Sequence, residues 1–121
     1  MIMGHEMAGD VVSVGSAVTR LKPGDRVALF PMQTCGQCAN CRAGKSNICQ
    51  NRQLLGAGQT MKGALAEYIS WPESSVFPIP DHLPYEKASL AEPTSVSAHG
   101  VNLAGIVPGD SVFLVGTGTI G

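Results

Sequence analysis

Charge is scarce in this chain. Charged residues fill 14% of its 121 positions, against about a quarter in an ordinary domain, while apolar residues fill 44%. That balance excludes a disordered, self-repelling segment and leaves surface meant for contact with more protein. The formal net charge is −1. No basic cluster is visible, so nucleic acid is not an expected partner. Also missing is any apolar run long enough to cross a bilayer. The first residues, Met-Ile-Met-Gly-His-Glu, show no basic segment followed by an apolar one, and no signal peptide is expected. A reducing cytoplasm is therefore the expected compartment. The chain holds no internal repeat or low-complexity tract, and it is long enough to form one domain with a real core.

Cysteine is absent everywhere except in one stretch. Cys35, Cys38, Cys41 and Cys49 are the only four, spaced C-x2-C-x2-C-x7-C. That spacing lets four thiolates surround one ion, and Zn²⁺ accepts four sulfurs in closed, structural sites. Gly36, Ala39 and Gly44 let the backbone fold back on itself, while Arg42 and Lys45 can offset the negative charge of the thiolates. Two other readings stay open. Disulfides need an oxidising compartment. An iron–sulfur cluster shares the opening C-x2-C-x2-C, but its fourth cysteine follows after three residues and precedes proline. Here the gap is seven and Gln50 follows.

The first part of the chain reads as β structure. Ala8 to Val14 is apolar and β-branched between Gly9 and Gly15. Leu21 to Asp25 is a turn built on Pro23 and Gly24, and Arg26 to Phe30 a short strand ending at Pro31. Residues 32–53 form the cysteine lobe, too rich in Gly, Asn and Gln for regular structure. Gly56, Gly58 and Gly63 mark loop or turn. Ala64 to Ser70 alternates well enough for a strand. Val76 to Pro80 is extended, with two prolines that forbid helix. Beyond residue 81 the character changes. Tyr85 to Ala91 predicts a helix behind Pro84. Pro93 interrupts, and Ser95 to Ala104 predicts a second helix with a rough apolar face of Val96, His99, Val101 and Leu103. Val107 to Asp110 is a turn. Ser111 to Val115 predicts a buried parallel strand.

Several weak signals surround these elements. Gly116-Thr-Gly118-Thr-Ile-Gly121 fits G-x-G-x-x-G directly after the predicted strand. In a dinucleotide-binding fold those glycines make the tight turn, admit the pyrophosphate and pack helix on strand. The confirming helix and acidic residue would lie past Gly121. Gly4-His5-Glu6 offers metal or acid–base chemistry, against the plain reading of a loop histidine beside a solvated acid. Glu92-Pro93 alone is an exposed acid before a helix-breaking proline. His82 reads as a surface loop residue and His99 as a packed or capping one.

Together these signals carry a resemblance. Gly4-His5-Glu6-x2-Gly9-x5-Gly15-x2-Val18 resembles the zinc-site signature of the zinc-dependent medium-chain alcohol dehydrogenases. Pro23-Gly24-Asp25-Arg26-Val27 resembles the turn and strand that follow it. The four cysteines are similar in number and spacing to that family's structural-zinc lobe. Gly63-Ala64-Leu65-Ala66-Glu67-Tyr68 looks like its G-x-(F/L)-A-E-Y strand. Glu92-Pro93 with Ser95-Val96-Ser97-Ala98-His99 resembles a segment of its polyol (sorbitol-type) dehydrogenases.

The resemblance implies a mainly β GroES-like barrel over residues 1–91, incomplete at its N-terminal side. It further implies the crossover and first strand of an α/β Rossmann domain over residues 92–121, also truncated. The implied cofactors are zinc, structural and catalytic, and NAD or NADP. The implied reaction is hydride transfer with a small alcohol, a polyol or sugar alcohol ahead of L-threonine or a simple alcohol. His5, Glu6 and Glu92 are the implied catalytic-zinc residues, Cys35, Cys38, Cys41 and Cys49 the structural-zinc ligands. Gly116, Gly118 and Gly121 would face the pyrophosphate. A homo-oligomer is implied for the full-length protein. The chain departs from the family in one ligand: the expected catalytic-zinc cysteine upstream of Gly-His-Glu has no counterpart. Both ends therefore look truncated, and the chain alone is expected to be inactive. A non-catalytic zinc-stabilised module is the competing function.

Overall fold

The structure is a computed structural model, and it describes residues 2–57 and 62–121. The loop glycine expected at Gly58 lies outside the described residues. Among the described residues, two small antiparallel sheets make up the β part. In the larger, β1 (Ala8–Asp10), β2 (Arg26–Leu29) and β5 (Val76–Pro78) lie in the order β1-β2-β5. Ala8 faces Ala28 and Asp10 faces Arg26, while Leu29 faces Val76 and Val27 faces Pro78. β2 is central, and its Val27, Ala28 and Leu29 are all buried. Proline is tolerated at Pro78 because β5 is an edge strand.

Val27, Leu29 and Val76 form the core, with Met7, Val11, Leu21, Ile69 and Trp71 packed around it. The expected turn joins β1 to β2. Asp25 accepts from the Lys22 N–H at 2.9 Å, and Gly24 takes φ +91°. Val11 and Gly24 extend the pairing past β1, through Val11 N–H to Asp25 O and Gly24 N–H to Val11 O. Val12 to Val14 stay outside the strand, which is shorter than the sequence predicts.

The cysteine lobe contains more regular structure than expected. β3 (Met32–Gln33) pairs with β4 (Gln53–Leu54) and closes its base. Between them lie one helical turn, α1 (Ala39–Arg42), and a 3-10 turn at Ser46–Ile48. The Asn40 side-chain amide donates to Ile48 O at 2.7 Å and ties the two turns together. Gly, Asn and Gln oppose long elements, but single turns need only one or two such bonds.

Three further expectations are corrected. Ala64 to Ser70 forms no strand: residues 64–67 bend and residues 68–70 are irregular. Ala64 and Leu65 donate to the carbonyls of Gly4 and Met3, but the rest finds no ladder partner among the described residues, and Leu65 is 73% exposed. Pro93 does not interrupt a helix. α2 (Tyr85–Ala88) follows Pro84, and α3 runs unbroken over Ala91–Ala104. Pro93 falls in the first turn of α3, where its missing N–H costs nothing. α3 ends at Gly105, in the left-handed region at φ +68°. Finally, Ser111 to Val115 forms no strand and has no strand neighbour among the described residues; Phe113 is 92% exposed. Among the described residues no helix is long and apolar enough to cross a membrane.

Candidate metal centres

The lobe brings all four cysteines together as free thiols. One sulfur from each lies within 4.8 Å of the others. Cys49, fully buried, stands 3.5 Å from Cys35 Sγ and 4.0 Å from Cys38 Sγ. Four sulfurs placed tetrahedrally around one Zn²⁺ at about 2.3 Å stand about 3.8 Å apart. The observed spacings bracket that value, so the residues fit a single zinc ion. A multi-iron cluster, whose ligating sulfurs sit on separate irons, needs a wider set.

Backbone amides prepare the sulfurs. Cys35 N–H points at Cys49 Sγ at 3.4 Å, and Cys41 N–H at Cys38 Sγ at 3.5 Å, the latter capping α1. The N–H groups of Gln37 and Cys38 hold the Cys35 thiol below its ordinary value. Those of Cys41 and Gln50 lower Cys38 to about 6. Cys41 moves the other way, pushed up to about 12 by burial and by hydrogen bonding with Cys38 and Cys49. A cation that turns all four into thiolates releases those protons. Arg42 and Lys45 stay exposed beside the lobe. Arg52, which the sequence did not single out, donates to Cys49 O at 3.4 Å.

A second cluster forms from His5, Glu6 and Glu92, whose ligand atoms also lie within 4.8 Å of one another. His5 Nε2 stands 4.0 Å from Glu92 Oε2, with side chains 41% and 17% exposed. His5 leads into β1, and Glu92 sits in the first turn of α3, next to the buried Pro93. Backbone packs directly on backbone behind His5. A Cβ at Gly56 would lie 2.0 Å from Gly4 O, and one at Gly63 would lie 2.1 Å from Ile2 O. In sequence Gly56 reads as loop or turn and Gly63 as turn and as the first residue of the G-x-(F/L)-A-E-Y-like segment; neither reading shows the close approach, which leaves no local pattern. Three donors of nitrogen and oxygen type can hold a zinc ion and leave a coordination position open, as catalytic sites do and closed thiolate sites do not.

The glycine run is only partly shaped for a ligand. Gly116 has φ +89°, and a Cβ on Gly121 would lie 2.2 Å from Gly116 O, so the run does turn tightly. No strand precedes it. Ser97 Oγ, on α3, donates to Ile120 O at 2.7 Å and holds it to the helix. His82 and His99 are exposed and belong to neither metal cluster.

The open sheet, the four-thiolate lobe and the mixed His/Glu cluster suit a zinc-binding domain. Residues 1–81 match the alcohol dehydrogenase GroES-like domain family. The chain belongs to the zinc-dependent medium-chain alcohol dehydrogenases.

It is 43% identical over 120 residues to sorbitol dehydrogenase of Bacillus subtilis (strain 168), covering 99% of this chain and 34% of that protein. It is 41% identical over 121 residues to probable D-xylulose reductase A of Aspergillus clavatus, covering 100% of this chain and 34% of that protein. Among solved structures, an oxidoreductase/dehydrogenase of unknown specificity from Escherichia coli superposes with a TM-score of 0.84 at 42% identity, over 88% of this chain and 31% of that one. A zinc-binding dehydrogenase from Sinorhizobium meliloti 1021, bound to NADP, superposes with a TM-score of 0.78 at 39% identity, over 84% and 29%. The chain thus spans about a third of the length of the curated relatives it matches. Zinc and NAD(P) are the cofactors these matches support, and the four-cysteine cluster fits a structural zinc.

Proposed function

We propose that this chain supplies the metal-bearing part of an oxidoreductase that moves a hydride between a polyol or sugar alcohol and NAD or NADP. The convergence of His5, Glu6 and Glu92 carries the reading, because the thiolate lobe leaves no position for a substrate. Zinc held there would polarise an alcohol oxygen and lower its pKa. His5 and Glu92 fix the donor set from two sides, one ahead of β1 and one on α3. Glu6 is the exposed member and the one free to exchange with an incoming oxygen. The polyol class is supported by the relatives that are sorbitol dehydrogenase and D-xylulose reductase. Residues 1–91 then form the catalytic domain, and residues 92–121 open the nucleotide-binding one. Gly116, Gly118 and Gly121 serve the pyrophosphate, and the tight approach of Gly121 to Gly116 O suits that use. The intact enzyme works as a homo-oligomer in the cytoplasm.

Metal content and turnover test this reading together. The natural full-length polypeptide containing these residues should hold two zinc ions per chain and reduce NAD⁺ or NADP⁺ with a polyol, faster than with ethanol or L-threonine. Glu92→Ala and His5→Ala should each remove one zinc and the activity, leaving the lobe's zinc in place. One tight zinc in the unaltered protein, with no turnover on any alcohol, would instead describe a zinc-stabilised binding module.

A further inference from the structure

We propose that Arg26 is a positioning residue for the His5–Glu6–Glu92 cluster, acting through Tyr85 and Asp10; the metal role of that cluster rests on the function proposed above. Arg26 opens β2 opposite Asp10 of β1. Its guanidinium donates from Nε to the Tyr85 hydroxyl at 3.0 Å and from Nη2 to Leu83 O at 2.8 Å. Nη1 donates to the carbonyls of both Pro80 and Asp81. Its Cζ also lies 4.3 Å from the centre of the Tyr85 ring. The Tyr85 hydroxyl in turn donates to Asp10 Oδ1. One side chain thus gathers three carbonyls of the connection after β5, the first residue of α2 and, through it, β1. A planar fork with fixed donor directions can do this; a lysine ammonium cannot.

Both ends of this clamp lead to the cluster. From Pro84 onward the backbone is hydrogen-bonded nearly without a gap: Ala88 to Pro84, Ser89 to Tyr85, Leu90 to Lys87 and Thr94 to Leu90. The place of Glu92 is therefore set by where Tyr85 docks. On the other side, β1 continues back to His5, held by Leu29 N–H on Met7 O and by Ala64 N–H on Gly4 O. The Arg26–Tyr85–Asp10 link is a hydrogen-bonded side-chain bridge between these two runs, separate from the 4.0 Å approach of His5 Nε2 to Glu92 Oε2. A clamp serving the connection alone would have no need of Asp10. Partners hydrogen-bonded directly to metal ligands are typically worth about 10–100-fold in metal affinity; Arg26 and Tyr85 act one step further out, so the lower end of that range is expected.

The test uses the natural full-length polypeptide containing these residues, with one equivalent of zinc already filling the thiolate lobe. Wild type, Arg26→Lys and Tyr85→Phe are titrated with Co²⁺, and the His5 ring and Glu92 amide are followed by NMR before any second metal is added. Binding at the His/Glu cluster should weaken about tenfold in both variants. The His5 and Glu92 signals should move, and those of Cys35 to Cys49 should stay. If Arg26→Lys fails to fold, Tyr85→Phe still carries the test, because it keeps the ring and loses only the hydroxyl. His5 and Glu92 signals that stay in place, with only residues 80–85 shifting, overturn the proposal. If wild type takes up no second ion, the metal reading of the cluster falls; movement of the His5 and Glu92 signals then still supports the positioning role, and their stillness overturns it.

Discussion

At the scale of single residues, the sequence showed the candidate ligands and hid what positions them. Cys35, Cys38, Cys41 and Cys49 were legible because metal chemistry demands particular atoms at short spacing. His5, Glu6 and Glu92 were legible only by resemblance, since each alone is an ordinary polar residue. Gly56 was legible as a turn and not as a contact. Its φ is +65°, and an added Cβ would meet Gly4 O at 2.0 Å. Gly56→Ala should therefore suffer twice: once from backbone strain, worth about 1–3 kcal/mol, and again from displacing Gly4 and so His5. Gly15→Ala is the control, because nothing lies within 4 Å there and its φ is not positive. Chemical denaturation of the two variants should show a loss well above 1 kcal/mol at Gly56 and about none at Gly15. Equal losses would remove Gly56 from any role behind the site.

Elements were legible where their partners lie close in sequence. The turn at Leu21 to Asp25 and strand β2 follow from local chemistry, and that turn returns the chain so that β2 pairs with β1. Ala64 to Ser70 and Ser111 to Val115 carry strand-like patterns, yet a strand also needs a neighbour's hydrogen bonds. Pro93 misled for a different reason. Proline breaks a helix only past its first turn, and the position of that turn is set by the docking of α2.

One loop is fastened by an acid that the sequence did not mark. The Glu73 carboxylate accepts from Thr19 N–H at 3.0 Å and from Arg20 N–H, and Arg20 Nη2 donates back to Glu73 O at 2.6 Å. Those contacts, led by the Arg20 N–H, hold the Glu73 carboxyl below its ordinary value of 4.5. A lowered carboxyl pKa contributes stability that is complete above the unfolded value and lost as pH falls through the folded one. Thermal melting of Glu73→Gln should therefore fall below that of the parent at neutral pH. The gap should narrow once pH drops under about 4.5. A gap that persists unchanged at acid pH would mean the loop is held by shape and not by charge.

At the scale of the whole molecule, one region stands apart from the β sheets in how little it buries. In α3 only Pro93 is buried. Val96, Val101 and Leu103 lie exposed along it, and Ile106, Val107 and Val112 to Val115 continue the apolar surface to the end of the chain. Large contiguous apolar patches on a protein surface mark contact sites or aggregation liabilities. The low charge read from the sequence, 14% of residues, leaves little to keep copies apart. The isolated chain should therefore self-associate in a concentration-dependent way. Sedimentation velocity should show a monomer only at the lowest concentrations. Phe113→Lys with Val115→Glu should shift the distribution back toward monomer while leaving zinc in the thiolate lobe, which lies in a separate part of the sequence. An unaltered chain that stays monomeric across the whole range would overturn the reading of this apolar surface as a contact site.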